Sequence, residues 1–132
     1  MTRWALRLVA VVVVALGLYC EKQSDGWGSI VGIFVLWPIA GVMHLAAHSI
    51  RLPRSGRIQG SRLALITVSH LLFIAAFLLQ YDVGDGPGWL VITQFLGRGG
   101  VPNWWPNPFI MNIAVFLPVL ATWVLLIRRR RE

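Results

Sequence analysis

Acidic residues are scarce in this chain, five against twelve Lys and Arg, and none of the five falls inside an apolar stretch. A proton-coupled exporter that cycles a buried Glu or Asp is therefore not expected, because its titratable group has to lie within the membrane. Cysteine is nearly absent too. Cys20 is the only one, which excludes an intramolecular disulfide and dithiol redox chemistry. Its expected state is a buried, unreactive thiol, the alternative being a bridge between two copies at the outer membrane face. There is no glycine-rich phosphate loop and no Cys/His cluster of the zinc type, so spacing alone assigns no metal site. No catalytic constellation is present, and the chain is not expected to be an enzyme.

What the chain has in abundance is apolar sequence. It is 57% hydrophobic and 13% charged over 132 residues, with a mean hydropathy of +0.69, a balance outside the range of soluble domains. Four apolar runs, at about 4–20, 27–50, 63–81 and 109–127, approach or exceed the length needed to cross a bilayer as helices. The predicted fold class is an all-α membrane protein with four transmembrane helices in a single domain. The first run follows Arg3 and Arg7 and ends at Cys20, which also resembles the plan of a signal peptide. The bulky Tyr19 beside the would-be cleavage point argues for a retained helix.

The arginines orient this bundle. Arg3 and Arg7, the turn residues Arg51, Arg54, Arg57 and Arg62, and Arg128, Arg129, Arg130 and Arg131 fall on one side of the threading, with Glu132 as the only acid there. Lys22 and Arg98 face Glu21, Asp25, Asp82 and Asp85 on the other. Excess Arg marks the cytoplasmic side, so both termini are expected there, in a bacterial inner membrane. This placement accounts for the net charge of +7 without a nucleic-acid partner. The terminal arginines would meet anionic lipid headgroups or act as a stop signal for the last helix.

Within the spans, Gly28 and Gly32 have the spacing that lets helix backbones approach closely, and Pro38 and Pro118 fall near the bilayer midplane, where each is expected to bend its helix. The long outer loop between the third and fourth helices holds Trp89, Trp104 and Trp105, suited to the headgroup level. The WLVITQFL run (89–96) within it is too short to span and is expected to lie in the outer interface, whether or not it is helical. Asp-Gly followed by Trp recurs (Asp25, Gly26, Trp27; Asp85, Gly86, Trp89) ahead of a proline-broken span in each half, a faint echo of transporter repeats.

Histidine supplies the remaining chemistry. His44 and His48 stand one turn apart, on a face with Trp37 and Gly41. Counted at ~1.5 Å per residue from the cytoplasmic ends, His44 is ~10 Å deep and His70 ~12 Å, with His48 near the interface. Two imidazoles at one depth on adjacent helices could hold a b-type haem, a metal or a quinone; equally, they could be neutral bundle residues hydrogen-bonded to Thr67, Ser69 or a carbonyl. Asp82, Asp85, Glu21 and Asp25 could ring an outer pore mouth. The functional expectation is an oligomeric pore or transport module, or a small subunit of a membrane complex. A cofactor-binding anchor and a regulatory protein acting through its outer loop are the alternatives.

Overall fold

A computed structural model describes residues 3–22, 35–49, 60–82, 89–96 and 107–128. The chain is helical: α1 (Arg3–Lys22), α2 (Trp37–His48), α3 (Gly60–Leu78), a single-turn α4 (Val91–Phe95) and α5 (Pro108–Arg128). Two-residue strands β1 (Tyr81–Asp82) and β2 (Trp89–Leu90) pair antiparallel between α3 and α4.

Side-chain layers fix how the long helices run. Leu6, Ile66 and Leu126 share one buried apolar cluster. Further along, a β-carbon on Gly41 would meet Val14, and one on Gly17 would meet Phe77, while Trp37 packs on Phe77 and Phe116. The levels rise from 6 to 17 in α1 and from 66 to 77 in α3, but fall from 48 to 37 in α2 and from 126 to 116 in α5. Two helices therefore run one way and two the other, and Arg3, Arg62 and Arg128 come to the same end of the bundle.

The main core is aromatic. Phe73, Phe77, Trp37 and Trp123 are buried together with Val13, Ala47, Ala76 and Val119. The outward faces are equally apolar: Trp4, Leu8, Val42, Leu71, Ile110, Ile113 and Leu117 are all more than half exposed. Two helical stretches, Gly60–Leu78 and Ile110–Arg128, are long and apolar enough to cross a membrane, and only 33% and 22% of their apolar windows are buried within the bundle. In the core helix of a soluble protein most of that surface would be covered. The apolar part of α1, Trp4–Tyr19, is shorter.

The boundaries follow the apolar runs closely for the first, third and fourth helices. For the second run, 27–50, the described part begins with a widened π-type turn at 35–36. Pro38 lies in the first turn of α2, where a missing N–H is tolerated. Pro118 stays inside α5. The 89–96 run begins as a two-residue strand and continues as a five-residue helix, and it is tied to the bundle: Val91 N–H donates to the Gln80 carbonyl at 3.1 Å, and Leu90 and Val91 are buried. Leu96, at the end of this piece, is exposed. Gly28 and Gly32 lie outside the described residues.

Gly17 permits the closest helix contact. A β-carbon there would stand 2.9 Å from the Phe77 ring, and Phe77 is itself buried against Trp37 and Phe73, so the ring has little room to yield. Gly17→Ala is expected to destabilise the bundle by about 1–3 kcal/mol through overpacking, and Phe77→Leu in the same chain to recover part of the loss. Thermal unfolding of the single and double variants in detergent measures both; an unperturbed Gly17→Ala would refute the close approach.

Candidate functional site: a buried histidine cluster

The antiparallel course of α2 and α3 brings His44 and His70 to one level, and α5 adds Trp123 from the third side. His44 is fully buried, and His48 and His70 are 4% and 7% exposed. His44 Nε2 lies 2.9 Å from His70 Nδ1. Trp123 Nε1 lies 3.0 Å from His44 Nδ1, and His48 Nδ1 is 2.8 Å from the His44 carbonyl one turn back.

Donor chemistry orders these contacts. An indole N–H can only donate, so His44 Nδ1 must accept and the His44 proton sits on Nε2. That proton then points at His70, whose Nδ1 must accept in turn, leaving the His70 proton on Nε2. The chain runs in one direction, from Trp123 through His44 to His70. The His70 Nε2–H at its end is buried and meets no hydrogen-bond acceptor among the described residues. A carbonyl can only accept, so His48 carries its proton on Nδ1 and its lone pair on Nε2.

Ring packing holds the three imidazoles in place. His44 stacks on Phe73 at 4.1 Å between centroids, and His48 lies over His70 at 4.3 Å, 21° from parallel. Beside them, Ser69 and Thr122 are buried with their hydroxyls 3.0 Å apart. Thr122 has one proton, and the Val119 carbonyl 2.7 Å away can use it only as acceptor, so Ser69 donates to Thr122. The ring nitrogens available as ligands, one per histidine, all lie within 4.8 Å of one another.

The depth match between His44 and His70 thus appears as a direct hydrogen bond. His48 is buried with them, although its distance from the helix end suggested the interface. Sequence reasoning passed over Trp123 and Thr122. The available signal was a polar-capable residue pair in ATWVLLI, Trp123 lying ~7 Å from Arg128 along the helix, close to the histidine depth. The acidic side chains proposed for an outer mouth lie outside what is described. Asp25 and Asp85 are not among the described residues, nor are Arg129, Arg130 and Arg131; Glu21 lies in the last turn of α1 and Asp82 belongs to β1, both described by backbone only. Neither a protein-family model, nor a curated protein, nor a solved structure matches the chain.

Removing the middle of the chain should cost more than removing a side branch. His44→Ala leaves the Trp123 N–H and His70 Nδ1 buried without partners and is expected to lower stability by about 2–5 kcal/mol, whereas His48→Ala, which leaves that chain intact, is expected to cost about 1 kcal/mol. Thermal melts of the two variants in the same detergent make the comparison; equal losses would refute the ordered chain.

Proposed function

We propose that this chain is a multi-pass protein of a bacterial inner membrane, with four spans and cytoplasmic termini. It acts without catalysis, as an oligomeric transport module or as a small subunit of a larger membrane complex. The observation that carries this reading is an inverted distribution of polarity. The interior holds three histidines, Ser69 and Thr122, while the outward faces of α1, α2, α3 and α5 carry large aliphatic residues. Water would penalise such a surface, whereas lipid is its natural solvent, and polar side chains then gather inside and bond across helices.

The ends of the bundle support the same reading. Arg7 lies 5.6 Å from the centre of the exposed Trp4 ring, an arrangement suited to a headgroup layer. Arg3, Arg62 and Arg128 share that end, as the cytoplasmic side of a four-span bundle requires. An exposed apolar surface interrupted by few polar groups also leaves room for a second copy or another subunit.

Two measurements test the reading. Compartment-specific reporters fused at Glu132 and near Asp85 are expected to report opposite sides of the membrane, and signals from one compartment would refute the threading. The protein purified in mild detergent is expected to run as a defined oligomer or with a membrane partner, and a clean monomer would refute the transport or subunit role.

A further inference from the structure

We propose that His44, His48 and His70 form a three-imidazole site for a single late transition-metal cation of the zinc or copper kind, whose metal-free state is held by Trp123. The inference stands on the cluster itself and does not depend on the number of spans. Imidazole nitrogens suit copper and zinc, bound at ~2.0–2.1 Å, so ligand nitrogens around one ion stand ~3.3 Å apart in a tetrahedral site. Here one ring nitrogen from each histidine already lies within 4.8 Å of the other two, and His44 Nε2 and His70 Nδ1 are 2.9 Å apart, on two helices whose levels are fixed by packing. One haem between His44 and His70 would need their nitrogens ~4 Å apart on opposite faces of a macrocycle. Nitrogens bonded at 2.9 Å, with Phe73 stacked on His44, accommodate a small ion with less rearrangement.

His48 already shows one feature of a ligating imidazole. Its Nδ1–H donates to a backbone carbonyl, the partner that ligating histidines commonly use to fix the tautomer, and this places the lone pair on Nε2. On His44 and His70 the lone pairs are engaged. The ion has to compete with Trp123 for His44, and with His44 for His70. Either nitrogen of His44 meets the same opponent: binding through Nδ1 displaces the indole N–H, and binding through Nε2 drives the His44 proton onto Nδ1, facing that N–H. Trp123 therefore weakens metal binding, the reverse of what a hydrogen-bond acceptor on a ligand's other nitrogen does.

The ligand set also bears on the charge of the ion. No acidic residue is among the buried residues described, so a divalent ion would bring charge that the protein does not cancel. A monovalent copper ion, or zinc carrying a hydroxide, lowers that cost.

The experiment uses the full chain, purified in detergent and stripped with a chelator. It is titrated with Co(II), whose visible absorption reports a low-coordinate nitrogen site, then with Zn(II) as competitor, and separately with Cu(I). One ion per chain is expected from Zn(II) or Cu(I). His48→Gln and His70→Gln should each weaken binding at least about tenfold, and Trp123→Phe should tighten it roughly five- to tenfold, the equivalent of one lost hydrogen bond. Circular dichroism of each variant confirms that it is folded, and Trp123→Phe leaves all three ligands in place should a histidine variant misfold. The absence of stoichiometric binding by every probe would overturn the site, as would binding unaffected by the histidine substitutions. Unchanged or weaker binding in Trp123→Phe would overturn the role given to Trp123.

Discussion

The polar interior of this bundle depends on the one-way character of the Trp123 indole N–H. Three imidazoles have six ring nitrogens, each able in principle to donate or accept, and several proton arrangements would be close in energy in water. Trp123 offers no such choice. Once its N–H meets His44 Nδ1 at 3.0 Å, the tautomers of His44 and then of His70 are decided, because an interior with few alternative partners penalises two donors or two acceptors set face to face. A single residue on α5 thus sets the proton positions of residues on α2 and α3.

That constraint works only because packing keeps the levels in register. The layer of Trp37, Phe77 and Phe116 sits above the cluster, and the layer of Leu6, Ile66 and Leu126 sits below it. Gly17 lets α1 close against Phe77, and Phe77 in turn meets Phe73 edge-on at 5.1 Å, while Phe73 carries the His44 ring on its face. A shift of one helix by a single residue, ~1.5 Å, would break hydrogen bonds of 2.9 and 3.0 Å. Apolar contact here determines hydrogen-bond geometry as well as contributing stability.

Much of this was legible in the amino-acid sequence, for reasons of length and charge. Uninterrupted apolar runs bounded α1, α3 and α5 to within a few residues, and equal depths from the Arg-rich ends placed His44 beside His70. Depth along a helix axis carries no information about rotation around it, however. His48, nearer the end than His44, is drawn inside because it shares a face with His44 one turn away. Trp123 escaped notice because an isolated Trp near the end of an apolar run usually marks a headgroup layer, and only the packing of α5 between α2 and α3 reveals that its N–H faces inward. The 89–96 run defeated periodicity altogether. Its backbone bonds go to Tyr81–Asp82 and Gln80, partners that its own sequence does not specify.

The position of the cluster along the bundle makes His48 its outermost ring. Apolar layers close it toward both ends, and among the described helices α1, α3 and α5 all continue past the cluster to the arginine-bearing end. Only α2 stops there, at His48. Its last turn is finished by Ser49, whose N–H donates to the Leu45 carbonyl at 2.8 Å and whose exposed hydroxyl donates to the Ala46 carbonyl at 2.9 Å. In the proposed metal site His48 is therefore the outermost ligand, while Trp123 competes for His44, the ligand farther from that end.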